Sequence, residues 1–521
     1  MRDSRVWKCL EYCNGRSAMR ERTLCGGLFF AVTGLLLCFV AYNAQKQNEK
    51  KIVFKTAPLY KKERTNPQLA QHQARQNYSY TFWSTDYHIA PIADLADVFN
   101  SICEKEGTCI KVDEHSFSGA CSKTFGGRKP TCAAGLKVIS QRNAFDFCPR
   151  PHALRRRFFN AYRGPSSPLQ HVDAFVCNHP PALCELYMPF NKSIIVIASV
   201  NLEFSRENPA RWTAWLSSLR AIARDSRNVV AANNLYDVEY IRYFTGIDAM
   251  YLPSYCGYAS RAQYQPRYDR PILIARNYNN PKVLISELQK QSTRLEKSKV
   301  LDKPSSSDAP MKNKLVRFIR TEDAYPTGFE YSDLAGHPAV VLLPYTKSVM
   351  SFFELYRMNV PLFAPSLDLL VEWERHYGIL KERIYWRAAP RPFKYDNVTS
   401  FNPNSRRSRK SLRHWLALCD FYHFPNITHF DSWEDLIQKL RYAPLREISY
   451  SMSLANLRML SDVRQTWRSL LSRMFRGQPP GFRQVPSDYA AAMQSLYGFV
   501  PPEGEPPCKR SVRPEYGEWG S

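Results

Sequence analysis

The chain has 521 residues, 44% hydrophobic and 23% charged, with a formal net charge of +25 at pH 7. That balance makes it globular, with room for two domains of ordinary size. The basic excess calls for an acidic partner, and without zinc-finger spacing, an aromatic–basic RNA signature or a basic helical heptad, nucleic acid is the weakest choice.

Thr23 to Tyr42 carries no charge over 20 residues, enough to cross a bilayer once. Arg2, Arg5, Lys8, Arg16, Arg20 and Arg22 precede it, and Lys46, Lys50, Lys51 and Lys55 follow. The long polar lead and the lack of a small-x-small site before Gln45 favour a single-pass anchor over a cleaved signal peptide. Four N-x-S/T sequons, Asn77, Asn191, Asn397 and Asn426, all lie after the span, as expected of a luminal C-terminal part. The divisions read as a cytosolic tail (1–22), a transmembrane helix (23–42) and a polar Lys/Gln-rich stem (43–77). Ten cysteines lie beyond the stem. An even number in an oxidising lumen predicts disulfides, with Cys103/Cys109, Cys121/Cys132 and Cys177/Cys184 as near pairs. No C-x2-C pair or Cys/His cluster indicates a metal.

The folded part opens on a β-prone run, Tyr78 to Trp83, followed by a helix with Ile92, Leu95, Val98, Phe99 and Ile102 on one face. Pro91 suits the first turn of that helix. Asp86 and His88 then fall on the loop between first strand and first helix, at the carboxyl edge of a sheet. Imidazole, with an unperturbed pKa of about 6.5, suits proton transfer near neutral pH, and a nearby carboxylate, Asp86 or Asp173, would hold its tautomer. The α/β rhythm continues with strands at Asp173–Cys177, Ser193–Ala198, Asn228–Ala232 and Ala249–Leu252, and helices at Trp212–Arg224 and Asn234–Phe244. His179, on the exit loop Asn178–Pro181, shares the edge with His88. Pro253 to Pro266 reads as a linker, dividing a first domain (78–266) from a second (267–475).

The second domain begins with a strand at Pro271–Arg276 and a helix opened by Lys282. Glu296 to Asn313 reads as a disordered insertion. Ala339–Leu343, Val349–Met358 and Val360–Ala364 form a strand–helix–strand unit whose apolar strands suit a buried parallel sheet. Its carboxyl edge is Tyr345-Thr346-Lys347-Ser348, with Ser351 and Glu354 on the helix behind, where unpaired N–H groups can meet phosphate. Helices follow at Leu367–His376, Trp433–Tyr442 and Ser451–Met474. Ser405 to Lys410 is a basic run expected to be a solvated loop. Residues 476–521 read as a loosely ordered tail, apart from a short helix near Asp488–Leu496.

Glu354-Leu-Tyr-Arg-Met-Asn359-Val-Pro361 resembles the donor-site signature of GT-B glycosyltransferases, Glu-Ala-Met-Ala-x-Gly-x-Pro. Asn359 replaces the Gly, as the next-best residue for a left-handed helix end. The resemblance implies an α/β chain of two facing Rossmann-like domains (GT-B architecture) behind the transmembrane helix, with the last helices crossing back onto the first domain. It implies that Glu354 accepts from the ribose hydroxyls of a nucleotide sugar, with Tyr345, Ser348 and Ser351 beside it. Arg276 and Lys282 resemble the cations that hold the diphosphate in that family, at a spacing one residue longer. A base on the loop after the first strand is also usual in that family, which fits His88 with Asp86 beside it; His179, on the same edge, is the alternative for base or acceptor contact. Thr346 stands where retaining members carry a second Glu, and no Asp-x-Asp occurs in the chain; both favour an inverting, metal-independent transfer.

The expected protein is therefore a type II Golgi or endoplasmic-reticulum glycosyltransferase with no cofactor. It would take a UDP- or GDP-sugar as co-substrate and a glycan or glycoprotein as acceptor. The alternative from another class is a luminal glycan-binding protein that keeps the fold without the chemistry. A nucleotide-dependent sulfotransferase ranks lower, because no P-loop-like Gly-rich turn precedes a helix.

Overall fold

The structure is a computed structural model that describes residues 80–106, 109–118, 131–133, 136–140, 152–199, 201–202, 209–277, 282–297, 316–380, 391–405 and 408–499. The expected cytosolic tail, transmembrane helix and stem with Asn77, most of the 296–313 insertion, and Cys121, Cys148 and Cys508 lie outside the described residues. Among the described residues no helix is long and apolar enough to cross a membrane.

The chain forms an α/β fold with two parallel sheets. The first takes β1 (Tyr80–Asp86), β2 (Ile110–Ser116), β3 (Thr131–Cys132), β4 (Ala174–Cys177), β5 (Ser193–Ala198), β6 (Val229–Ala232) and β7 (Met250–Tyr251) in the order β3-β2-β1-β4-β5-β6-β7. Every pairing is parallel. Helices α1 (Ala90–Glu106), α2 (His152–Tyr162), α3 (Pro209–Arg224) and α4 (Leu235–Thr245) accompany it. The apolar stripe read for α1 is the buried one, with Ile92, Leu95, Val98, Phe99 and Ile102 all inside. Helix α4 starts where the Asn234 side chain accepts from the Asp237 N–H and stops at left-handed Gly246.

The second sheet takes β8 (Ile272–Ile274), β9 (Phe318–Arg320), β10 (Val340–Val341), β11 (Leu362–Pro365) and β12 (Thr428–Phe430) in the order β12-β11-β10-β8-β9, also all parallel. Its helices are α5 (Lys282–Lys297), α6 (Thr321–Ala324), α7 (Tyr331–Ala335), α8 (Met350–Arg357), α9 (Leu367–Tyr377), α10 (Arg409–Leu416) and α11 (Trp433–Tyr442). Asn359, just past α8, has φ +61°, the left-handed turn that made Asn acceptable in place of Gly.

The chain then returns. The 31-residue α12 (Leu445–Phe475) lays Val463, Trp467, Leu470, Leu471, Met474 and Phe475 into the core of the first lobe. Phe475 stacks on Tyr80 at 4.2 Å, and Trp467 meets Phe99 edge-on at 4.8 Å.

Four expectations are corrected. The start of the expected loose tail is docked: Gly481 N–H donates to Asp173 Oδ1 at 2.7 Å and Arg483 donates to Ser193 Oγ at 2.6 Å, while the short helix expected near Asp488–Leu496 is present as α13 (Tyr489–Tyr497) and buries Tyr489 and Met493. Polar Pro/Gly-rich sequence hid this because the docking uses main-chain and charged partners rather than an apolar run. The described end of the basic run is helical, since Ser408 caps α10 by accepting from the Ser411 N–H. Asp173 lies at the amino end of β1, accepting from the Thr81 N–H, away from His88. Cysteine pairing is incomplete: Cys103–Cys109 and Cys177–Cys184 are bridged as expected and Cys132 is disulfide-bonded, but Cys256 and Cys419 are free and buried.

The sequons differ in the same physical way. Asn397 and Asn426 are exposed, whereas the Asn191 side chain accepts from Arg227 and its Ser193 partner is buried in β5. Glycopeptide mapping of chain made in a secretory host is expected to find glycan on Asn397 and Asn426 and none on Asn191. Glycan on Asn191 would show that the loop is modified before β5 forms.

Candidate active site

In open parallel sheets, ligands gather outside the carboxyl ends of strands at the point where strand order reverses. In the first sheet that point lies between β1 and β4, where Asp86, His88 and His179 emerge. Asp86 Oδ1 accepts from the His88 N–H at 2.7 Å and Oδ2 from the His179 N–H at 2.8 Å. The Tyr87 N–H donates to the His179 carbonyl at 2.9 Å. Two loops are thereby clasped, and the His88 and His179 rings stack with centroids 4.4 Å apart. His88 is exposed and His179 half-buried. All three expected residues of the catalytic edge come together. The carboxylate has a different duty from the one expected, because its oxygens hold main-chain N–H groups. Burial raises the Asp86 carboxyl to about 7, against His179 and the backbone N–H groups of His88, His179 and Asn178, which lower it. A 20 Å³ cavity opens beside this edge, among Asp94, Asn178, Asn233 and Ser254.

In the second sheet the reversal lies between β8 and β10. A 30 Å³ cavity there is floored by Leu342, Leu343, Phe352 and Phe421 and rimmed by Arg276, Tyr345, Ser348, Ser351 and Asp420. Four of the expected donor-site residues thus meet. Lys282 is exposed at the start of α5 and does not line the cavity. Glu354 also stands outside it: its Oε1 accepts from the Tyr258 hydroxyl at 2.9 Å and the Tyr331 hydroxyl at 3.0 Å. Burial raises its carboxyl and the two hydroxyls lower it. The ribose contact implied by the resemblance would have to compete with both tyrosines.

Lys347, named on the edge by the sequence but given no role of its own, is the residue whose surroundings the sequence did not show. It is fully buried on the loop after β10, with Nζ 3.6 Å from Asp237 Oδ1 on α4 and 5.1 Å from the Tyr236 ring centre. Asp237 is itself held by the Asn201 N–H and the Asn234 amide. On the other side, Asp420 is buried. Burial pushes its carboxyl well above the usual range, while Ser348 and Lys347 lower it and Asp237 raises it. The carboxyl edges of the two sheets therefore meet at a buried lysine between two aspartates. The polar run Tyr345–Ser348 after an apolar strand marked the place; nothing local marked Asp237 or Asp420, which arrive from distant segments.

The connection between lobes is gripped from both sides. Asp94 on α1 accepts from the Tyr255 N–H at 3.1 Å and the Cys256 N–H at 2.6 Å. Arg357 on α8 donates to the Tyr255 carbonyl and to Asn456 on α12, and lies 3.6 Å over the Tyr255 ring. Burial raises the Asp94 carboxyl to about 7, against those N–H groups and Arg357. A carboxyl raised in the folded state holds a proton that the unfolded chain has released. Its stabilisation is whole below about pH 4 and is lost as pH rises through about 7. Stability is expected to fall across that window by up to about 1.4 kcal/mol per pH unit for each such group. Asp94→Asn keeps the accepting oxygen and should flatten its share. Urea unfolding between about pH 5 and about pH 7.5 measures the slope, and an unchanged slope in the variant would remove Asp94 from the account.

No family model and no curated protein matches the chain. Among solved structures it is similar to the crystal structure of CalG4, the calicheamicin glycosyltransferase, at a TM-score of 0.37 and 10% identity, over 76% of this chain and 99% of that one. At that score the likeness carries no argument for what this chain does.

Proposed function

We propose that the chain is a glycosyltransferase of GT-B architecture that moves a sugar from a nucleotide donor to a glycan or glycoprotein acceptor. The observation that supports it most is the meeting of the carboxyl edges of the two sheets at Lys347, on the loop after β10, and Asp237, on the helix after β6. The edge of the first sheet also carries the paired imidazoles, between β1 and β4, and that of the second carries cations and hydroxyls. In this reading His88 removes the acceptor hydroxyl proton as the oxygen attacks the anomeric carbon, and His179 packs against it. Asp86 fixes both loops. Arg276, with Lys347 released from Asp237, faces the diphosphate of a UDP- or GDP-sugar, and Ser348 and Ser351 donate hydroxyls. The transfer is inverting and uses no metal, and it takes place on the luminal side of a Golgi or endoplasmic-reticulum membrane.

The test is thermal unfolding of the full chain with a panel of nucleoside diphosphates, followed by sugar transfer from the matching donor. A nucleotide at about 100 times its dissociation constant should add about 2.7 kcal/mol of stability. No shift with any nucleotide in folded protein would sink the donor site. The glycan-binding reading without catalysis would then take over. It is favoured by the engagement of Glu354 with Tyr258 and Tyr331 and by the small volume of both edge cavities.

A further inference from the structure

A cavity larger than either edge cavity lies at neither strand edge. It is an open groove of about 480 Å³ between the connecting segment Gln263–Pro266 and the first turns of α12. Its size is that of a small-ligand site, and its chemistry is specific. Gln263, Gln265, Asn359, Ser449 and Ser453 supply neutral donors and acceptors, and Tyr264 and Tyr450 supply aromatic rings. Arg446 is the one charged residue of the lining, and no carboxylate joins it.

The walls are fixed. The Asn359 amide donates to Gln263 Oε1 at 3.2 Å, and Asn456 donates to Asn359 Oδ1 at 2.7 Å. Tyr264 is tied to the Pro338 carbonyl at 2.6 Å. Arg446 and Tyr450 lie one helical turn apart on α12 and point outward, Tyr450 being 60% exposed. A rigid wall of amides and hydroxyls, an open aromatic face and one guanidinium match the features of an acidic sugar chain: many hydroxyls, an apolar ring face and an anion that offers two oxygens to a guanidinium. A nucleotide diphosphate would ask for more than one cation, and an acyl chain would ask for apolar walls.

We propose that this groove binds an acidic oligosaccharide, with Tyr450 under a sugar ring and Arg446 on its carboxylate or sulfate. The site is separate from the transfer reaction proposed above, and its test reads binding alone, so the two can fail independently. Calorimetry on the full chain would use three tetrasaccharide probes: a neutral chitin fragment, a uronate-containing hyaluronan fragment and a sulfated chondroitin fragment. Both acidic probes, or one of them, should bind at least tenfold more tightly than the neutral one, on the order of one charge-assisted pair. Because the chondroitin fragment carries uronate as well as sulfate, tighter binding of it than of hyaluronan assigns the sulfate to Arg446, and binding no tighter than hyaluronan assigns the carboxylate.

Tyr450→Ala should weaken all binding, and Arg446→Gln should remove the preference for acid. Both side chains are exposed, so unfolding temperature should stay the same and report intact fold. Equal binding of neutral and acidic chains, binding that neither variant changes, or no binding at all would overturn the proposal.

Discussion

Alanine in place of His88 is expected to lower turnover by about 10²–10⁴-fold, the usual worth of a positioned general base, while leaving the protein folded. His88 is exposed, and Asp86 grips its main-chain N–H rather than its ring, so the loop keeps its anchor when the imidazole is removed. Nucleotide-induced stabilisation should be untouched, because the donor would bind on the other sheet. His179→Ala separates the base from its neighbour: its ring stacks on His88 at 4.4 Å, so removing it should disturb the placement of His88 and cost less than removing His88 itself. Single-turnover transfer assays measure both. If His179→Ala proves the more damaging, the two roles are exchanged, and if neither matters, the base lies elsewhere.

Methionine in place of Lys347 is expected to destabilise the folded part by about 3–5 kcal/mol, the cost of leaving one member of a buried ion pair without its partner. Asp237 would keep the Asn201 N–H and the Asn234 amide but lose the cation 3.6 Å away. Asp420 would lose the charge that lowers its carboxyl. The same variant should lose the stability gain from nucleoside diphosphates, since the buried ammonium is the charge best placed to meet phosphate once Asp237 lets go. Denaturant unfolding with and without nucleotide reads both effects. A normal nucleotide response in a weakened protein would assign Lys347 to holding the lobes together and nothing more.

Local pattern made much of this legible. Apolar runs such as Ser193–Ala198 and Ala339–Leu343 announced buried parallel strands, and the loops after the first, fourth and tenth strands placed His88, His179 and Ser348 at carboxyl edges from pattern alone. Asn359 announced its own turn. What stayed hidden depends on partners far away in sequence. Glu354 reads as a ribose contact, and nothing around it foretells Tyr258 and Tyr331, which arrive from other segments and engage its carboxylate. Asp420 looks like an ordinary turn residue, yet its short 3₁₀ turn brings it beside the Lys347 loop. Helix α10 was concealed because its exposed face is so basic that only Leu412, Trp415 and Leu416 are apolar and inside. Trp415 then meets Tyr236 of the other lobe at 5.1 Å, a contact that one helix alone cannot foretell.

The return of α12 and α13 to the first sheet sets a timetable for biosynthesis. The Tyr80 hydroxyl bonds a carbonyl 398 residues later in the chain, and Tyr80 and Phe99 rest on Phe475 and Trp467. At ordinary ribosomal speed that separation is roughly 20–80 s of translation. Through that interval the first-made lobe has strands but lacks the aromatic cover of its outer face. A nascent chain in that condition is a client for chaperones, and the half that emerges first is the half that finishes last.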